Sequence, residues 1–186
     1  EYLKGSMSGK KRKELRRLRS RLEEEGAVSV ERLGAQGDIA PWAEEFLAIE
    51  ASGWKGKTGT AMGAEDASAR FFRSAAAAAH RAGELHMFRL RLGERTIAAA
   101  VNFAAAGVIY AFKVAFDEVY ARYSPGVMLE IEIMKALEGT PGVSFIDSCA
   151  KAEHPMIERL WRERRTILAL NVSRQDAAGK AVFRVL

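Results

Sequence analysis

Residues 108–137 combine the residue types that most directly suggest chemistry. A run rich in β-branched and aromatic residues, Val-Ile-Tyr-Ala-Phe-Lys-Val-Ala-Phe, leads through a turn with Ser124, Pro125 and Gly126 into an amphipathic segment of helical period. The N-terminus of a helix carries about half a positive charge and several unpaired N–H groups, so a turn at that end can hold a pyrophosphate. The pattern predicts a strand, a pyrophosphate-binding turn and a helix. A plain strand-to-helix connection is the alternative.

Other motifs in the chain are weaker. Residues 51–58, Ala-Ser-Gly-Trp-Lys-Gly-Lys-Thr, are similar to a P-loop, but Ala51 replaces the first glycine and the segment follows a predicted helix instead of a strand. Cys149 lies five residues before His154, and a loop of that length does not fix a nucleophile against a base, so a buried, inert thiol is expected. The three histidines are scattered and show no metal-ligand spacing, so no metal is expected. The single cysteine excludes an internal disulfide.

The elements that must position this segment follow from periodicity. Leu15, Leu18 and Leu22 form an apolar stripe on a basic helix that ends before Gly26. A short strand at 28–33, a helix from the N-cap Asp38 to about 51, a loop at 51–63 and a helix at 65–82 come next.

Three strand-like runs, 85–92, 96–104 and 108–116, are joined by short glycine-containing links and predict an antiparallel meander. The helix at 126–138 and a strand at 143–147 add a parallel βαβ unit. A short helix from 154 to about 162 and strands at 165–172 and 181–186 complete the chain. The prediction is an α/β (α+β) fold with one mixed, mostly antiparallel sheet, a central βαβ unit and helices on both faces.

Length and charge limit the classes of function. A chain of 186 residues suits a single domain at 1–186, with residues 1–26 as its basic amino-terminal helix. The net charge is +5, of which residues 8–25 supply +4 through eight Lys/Arg and four Glu. This helix can be a solvated face, an anion contact or a nucleic-acid contact, and its acidic end should fray unless tertiary contacts hold it. No apolar run long enough for a membrane span and no signal peptide are found, so a cytoplasmic protein is expected.

Residues 113–126, Lys-Val-Ala-Phe-Asp-Glu-Val-Tyr-Ala-Arg-Tyr-Ser-Pro-Gly, are similar to the signature of the FemAB/CelD-like branch of the GNAT acyltransferases, often labelled the BioF2-like acetyltransferase domain. The order of elements also resembles the GNAT fold, and residues 2–3, 8–12, 53–56 and 59–60 resemble that branch. Larger members carry two such modules. The chain, which begins with Glu1 instead of Met, is therefore expected to be the carboxy-terminal module of a longer protein.

The resemblance implies binding of acetyl-CoA or another acyl-CoA as co-substrate. It places the pantetheine along the strand residues Val114, Ala115 and Phe116. It places the pyrophosphate at the backbone of the following turn, formed by Arg122, Tyr123, Ser124, Pro125, Gly126 and Val127. The usual family turn is Gln/Arg-x-x-Gly-x-Gly/Ala. Here its glycine positions hold Pro125 and Val127, which leaves Gly126 for close backbone approach.

The implied activity is N-acyl transfer from acyl-CoA to an amine, a direct transfer that needs a base, an oxyanion donor and an acid for the thiolate. The candidates are Asp117 or Asp147 as base and Tyr123 or His154 as acid. Each also has a structural interpretation, as a turn cap, a packed ring or a helix cap. The same likeness places Trp54 on the acceptor side. Lys113 is expected to face solvent or an anion there, because an unpaired buried ammonium is costly.

Two alternatives stay open at this stage. One is a catalytically silent GNAT-like module that binds a partner domain or polysaccharide-assembly machinery. The other is an aminoacyl-tRNA-dependent FemAB-type transferase that uses the basic helix, with Lys10, Lys11, Arg12 and Lys13, as its RNA contact. A second GNAT-like module or a homodimer is a further expected partner, and the sequence does not identify the acceptor.

Overall fold

The computed structural model describes residues 2–151, 153–154 and 156–168. In that part of the chain five strands form one sheet in the order β1 to β5. β1 to β4 pair antiparallel, and β5 joins β4 in parallel. The predicted meander, the parallel βαβ pair and the mixed α/β fold are confirmed. The strands are β1 (Val28–Arg32), β2 (Leu85–Leu92), β3 (Arg95–Ala105), β4 (Val108–Phe116) and β5 (Phe145–Asp147).

Six α-helices and three 3₁₀ helices surround the sheet within the same described ranges. Residues 51–63, expected as a loop, contain α4 and a 3₁₀ turn, because contacts with a distant part of the chain hold this glycine-rich segment. The α-helices are α1 (Tyr2–Ser6), α2 (Gly9–Glu23), α3 (Ile39–Ser52), α4 (Trp54–Lys57), α5 (Asp66–Arg81) and α6 (Pro125–Leu137). The 3₁₀ helices are Met62–Ala64, Glu118–Tyr123 and Ile157–Arg159.

The helices cover both faces of the sheet, as expected. On one face α6 and α2 pack against Ile97 and Ile109, and Leu22 of α2 is fully buried there. On the other face α3 and α5 pack against Met87 and Val101. A third cluster lies between α1, α2, α6 and residues 156–161. The acidic C-terminal end of α2, which would fray without tertiary contacts, is held by them: Glu25 accepts hydrogen bonds from Arg122 and Tyr123.

The carboxy-terminal expectations need correction. The strand expected at 143–147 is reduced to three residues, since the amides of Val143 and Ser144 bond to Thr140 and Gly107 in the preceding turns. The helix expected at 154–162 is one 3₁₀ turn. Residues 165–168 are not a strand, since none of the five described strands pairs with them. The rest of the strand expected at 165–172, from residue 169, and the one at 181–186 lie outside the described residues.

Membrane insertion by a helix finds no support in this architecture. None of the described helices combines the length and the apolar character that crossing a bilayer requires.

Candidate active site

β4 separates from β5 soon after the two strands meet. Only Val108, Ile109 and Tyr110 of β4 pair with β5. Against β3, Lys113 stands opposite Val101 and Ala111 opposite Asn102, so Phe112 is an extra residue that forms a β-bulge. A bulge bends its strand and increases the local twist. Residues 111–116 consequently have, among the described strands, no partner on the side away from β3, and their backbone edge is open to an extended ligand.

The first turn of α6 has free backbone donors. Ser124 precedes it in the left-handed region (φ 56°, ψ 51°), and its side chain makes no capping hydrogen bond. Pro125 has no N–H. The first backbone amide of α6 that makes a helical i to i−4 hydrogen bond is that of Met128, which donates to the Ser124 carbonyl at 3.1 Å. The amides of Gly126 and Val127 find no acceptor among the described residues. Two N–H groups and the positive end of the helix dipole are thus available to an anion.

The open edge and the free amides meet at Gly126. A Cβ placed on this glycine would lie 3.3 Å from Cδ1 of Phe116, the last residue of β4. The missing side chain therefore lets the end of β4 approach the first turn of α6 closely. A ligand that runs along β4 would reach the helix N-terminus directly.

A small pocket of about 40 Å³ borders the same end of β4. Glu50, an acidic residue of its lining that lies on α3, is only 3% exposed. The Glu50 carboxylate accepts hydrogen bonds from Lys113 Nζ at 2.7 Å, Lys55 Nζ at 3.3 Å and the Met62 amide at 2.9 Å. Burial acts to raise the pKa of Glu50, but the bonds from Lys113 and Met62 outweigh it and hold that pKa below its usual value. The pocket is lined by Ile49, Glu50, Gly53, Trp54, Lys55, Val114, Ala115, Phe116 and Glu118.

Glu118 attaches α4 to this pocket. Its carboxylate accepts from the Trp54 amide at 2.6 Å and from Lys57 Nζ at 2.9 Å. Lys57 and then the Trp54 amide lower the pKa of Glu118, so the carboxylate stays ionised and paired. The Trp54 side chain is 59% exposed beside the pocket, and the Lys55 ammonium lies 5.8 Å from the centre of its ring.

Each of the four expected acid–base residues also has a hydrogen-bond partner within the fold. Asp117 accepts from the Val119 amide at 3.0 Å and pairs with Arg95 at 2.6 Å, so it caps the 3₁₀ helix. Tyr123 is buried and donates to Glu25, and this bond, followed by burial, raises the pKa of Tyr123.

Asp147 ends β5 opposite Tyr110, at the point where β4 and β5 part, and His154 lies farther along the chain. Asp147 accepts from the Cys149 amide at 2.8 Å and lies 3.6 Å from Arg165. His154 Nδ1 accepts from the Ile157 amide at 3.4 Å at the start of a 3₁₀ turn. No hydrogen bond or ion pair joins any two of the four candidates in the part of the chain that the structure describes.

The interpretation of Cys149 as a buried thiol is wrong. Cys149 is exposed in a loop at positive φ (50°), although partial burial of the thiol and the nearby Asp147 raise its pKa. Within the described ranges, no group of three or more His, Cys, Asp or Glu side chains is arranged to hold a metal ion.

Two buried carboxyl groups were missed by reasoning from the sequence. Glu50 follows Ala43, Phe46 and Leu47 at helical spacing, and these are the buried residues of α3, so the spacing itself could have revealed it. Glu130 lies on the buried side of α6 and is 4% exposed. Burial raises the pKa of Glu130 to about 7. The nearby Trp161 indole N–H lowers the pKa of Glu130 in part. Its Nε1 does not reach hydrogen-bonding geometry with any described residue.

The family is decided by a match that covers most of the chain. Residues 9–154 match the model of the acetyltransferase (GNAT) domain. The chain belongs to the GNAT acetyltransferase family. This GNAT protein is therefore an acyltransferase enzyme that uses acyl-CoA as its donor, and structures of the same fold have been solved with CoA or a CoA analogue. A comparison with curated proteins found no match.

Solved structures agree on the fold. An aminoglycoside acetyltransferase from an uncultured soil metagenomic sample, in complex with sisomicin, is 11% identical with a TM-score of 0.55, over 82% of this chain and 99% of its own. AAC(6')-Iy with a CoA bisubstrate analogue is 12% identical with a TM-score of 0.55, over 80% and 99%. A possible acetyltransferase from Clostridium difficile 630 is 9% identical with a TM-score of 0.55, over 79% and 99%. At these identities the likeness concerns the fold alone.

Proposed function

We propose that this GNAT protein transfers an acyl group, acetyl in the simplest case, directly from acyl-CoA to an amine acceptor. One observation carries the proposal: the unpaired edge of β4 beyond the Phe112 bulge meets the free amides of Gly126 and Val127. The amide groups of pantetheine can pair with a strand edge, and a diphosphate suits a helix N-terminus. Of the expected donor residues, Val114, Ala115 and Phe116 supply the edge, and the turn at 122–127 supplies the phosphate site.

The direct reaction needs no covalent enzyme intermediate. The amine nitrogen attacks the thioester carbonyl carbon, the C–N bond forms, and the C–S bond breaks as CoA leaves. The proton lost by the amine passes to a base, and the thiolate takes up a proton. We assign the base to Asp147, directly or through water, because it ends β5 opposite Tyr110, where the strands part. Its contact with Arg165 is long, whereas Asp117 and Tyr123 are held by short bonds to Arg95 and Glu25.

Isothermal titration of the chain with acetyl-CoA tests the donor assignment. We expect saturable binding at one site per chain, and CoA should compete for that site. A catalytically silent module would release no heat, and that result would overturn the proposal. A crystal soaked with CoA would then show whether the sulfur points toward Asp147.

The finer classification is also a proposal. The signature at 113–126 supports a place in the FemAB/CelD-like branch. We propose a cytoplasmic enzyme whose residues 1–186 form one domain. Its proposed partner is a second GNAT-like module or a second copy of the chain. Size-exclusion chromatography with light scattering tests the self-association, because a monomeric mass at all concentrations would exclude the homodimer.

The exposed face of α2 favours a second candidate, an aminoacyl-tRNA-dependent transferase. Lys11 pairs with Glu14, and Arg12 donates to the Met7 carbonyl. Electrophoretic mobility shifts with tRNA should weaken steeply as salt rises if RNA is the partner, and salt-insensitive or absent binding would exclude it. Five other basic residues of the helix are exposed without a hydrogen-bond or ion-pair partner among the described residues: Lys10, Lys13, Arg16, Arg17 and Arg21.

A further inference from the structure

The acidic residues of the small pocket are already neutralised. Glu50 is bonded to Lys113 and Lys55, and Glu118 is bonded to Lys57 and the Trp54 amide. These two are the acidic residues in the pocket lining that the structure describes. An acceptor that carries several ammonium groups would find no unpaired carboxylate there.

The ion pairs at the pocket instead carry a surplus of positive charge, because Glu50 and Glu118 are paired with three lysines. Of these lysines Lys55 lines the pocket, and Lys113 and Lys57 reach it through their bonds to Glu50 and Glu118. One Glu50 oxygen, Oε1, is shared by two ammonium groups, at 2.7 Å from Lys113 and 3.3 Å from Lys55. The side chains of Lys113 and Lys55 are 25% and 26% exposed, so both are mostly buried. A half-buried ammonium is stabilised by an anion, and here two of them share one carboxylate.

The surroundings suit a single small group. The volume of about 40 Å³ is too small for a sugar ring, and Ile49, Ala115 and Phe116 line it with apolar surface. The Trp54 ring beside Lys55 provides a wall against which the rest of an acceptor can stack. Apolar walls around a cation strengthen its attraction for an anion, because less water screens the charge.

We propose that Lys55 and Lys113 form a binding site for a carboxylate or phosphate group on the amine acceptor, which makes the acceptor an anionic amine instead of a polycation. This inference rests on the proposed transfer to an amine. It assigns Lys55 and Lys113 to acceptor recognition and Glu50 to positioning the two ammonium groups.

Titration of the isotope-labelled protein by NMR, with and without CoA, tests the site. The probes are two matched pairs, glucosamine 6-phosphate with glucosamine and 6-aminohexanoate with hexylamine, together with the polycation neamine. We expect the member of a pair that carries the phosphate or carboxylate to saturate the shifts of the Lys55 and Lys113 amides at a concentration at least tenfold lower than the member that lacks it. A preference in the first pair identifies phosphate, and one in the second identifies carboxylate.

Variants separate recognition from folding. Lys55→Gln should remove the preference for the anionic probes, Lys55→Arg should keep it, and the remote exposed Lys135→Gln should leave it unchanged. Equal binding within both pairs, tighter binding of neamine, or no binding of any probe would overturn the inference. The CoA titration is read separately: CoA binding without anion preference leaves the transferase proposal standing, and absent CoA binding contradicts that proposal whatever the amines do.

Discussion

Glu50 shows how a charged residue is kept in the interior of this protein. Its carboxylate is almost fully buried, which is unfavourable unless its charge is matched and its lone pairs are used. Lys113, Lys55 and the Met62 amide meet both conditions. The same bonds connect α3 to α4 through Lys55, to the segment after α4 through Met62 and to β4 through Lys113, at the edge of the proposed site.

Replacement of Glu50 by Gln should lower the free energy of unfolding by about 2–3 kcal/mol, because two half-buried ammonium groups lose their counter-charge. Glu44→Gln is the matched control, since Glu44 is on the same helix and pairs with Arg73 at the exposed surface. That control should cost less than about 1 kcal/mol. Urea unfolding at pH 7 measures both, and equal effects would contradict the role of burial.

The lowered pKa of Glu50 also fixes the direction of its pH dependence. The stability it contributes is fully present above the ordinary pKa of a glutamate and is lost as pH falls through the lowered folded-state pKa. The difference between wild type and Glu50→Gln should therefore shrink in acid. A difference that grows in acid would show that the carboxylate is not ionised in the folded protein.

Ser124 offers a test of the phosphate site at the scale of one residue. Ser124→Asp places a negative charge at the N-terminus of α6, which should weaken acetyl-CoA binding about tenfold or more by repelling the diphosphate. The same charge favours the helix dipole, so stability should not fall. Ser124→Asn is the neutral control, since Asn and Asp both tolerate the left-handed backbone seen there. Calorimetric titration measures the affinities, and equal affinities for the two variants would place the diphosphate elsewhere.

At the scale of elements, the β4 bulge marks the start of the strand edge that stays open in the described sheet. β4 pairs with β3 along its length except at Phe112, and it pairs with β5 over three residues. Because Phe112 is inserted without a partner, the strand turns away from β5, and the edge that would otherwise be closed becomes available. Phe112 packs against Phe72 and Phe103, so the bulge is anchored by the α5 face of the sheet.

Helix α2 is held mainly by its buried leucines, and Arg19 adds an ion pair to Glu132 of α6 at 3.5 Å. Leu22→Ala should destabilise the protein by about 3 kcal/mol, because the side chain is fully buried in the cluster beneath α6. Arg17→Ala, an exposed position on the same helix, should change stability by less than about 0.5 kcal/mol. Chemical denaturation compares them, and a loss below about 1 kcal/mol for Leu22→Ala would show that α2 is not docked as described.

At the scale of the whole molecule, Glu130 links α6 to the cluster that joins α1, α2 and residues 156–161. Its neighbour Trp161 has a buried indole N–H that makes no hydrogen bond within the described part of the chain. Burial favours the neutral acid, which raises the pKa of Glu130 from 4.5 to about 7. The folded protein therefore binds more protons than the unfolded chain between those two values.

The pH dependence of stability that Glu130 contributes has the opposite sign to the one that Glu50 contributes. Stability should fall as pH rises from about 4.5 to 7, by about 3 kcal/mol when the difference in pKa is fully expressed. Glu130→Gln should remove this component, so the stability of the variant relative to wild type should increase between pH 5 and pH 8. Urea unfolding at several pH values measures it, and parallel curves for the two proteins would show that Glu130 does not titrate in this range.

Local patterns were sufficient for most of the backbone. The alternation and the glycine links between 85 and 116 determined the meander, because adjacent strands joined by short turns pair with each other. The Ser-Pro-Gly turn located the start of α6 to within one residue, since proline is favoured in the first helical turn. The helical spacing of Leu15, Leu18 and Leu22 predicted which face of α2 packs on the domain, because residues at that spacing lie on one side of a helix.

The chemistry of the side chains depended on partners that lie far apart in sequence. Tyr123 and Glu25 are 98 residues apart, and Lys113 and Glu50 are 63 apart, so no local window reveals that each pair is bonded. The bulge at Phe112 likewise exists only relative to the register of β3. By itself the sequence determined most of the strands and helices and the resemblance to the GNAT family, because both follow from local patterns. Only the tertiary structure decided which edge stays open and which charges are neutralised, since pairing in space sets both.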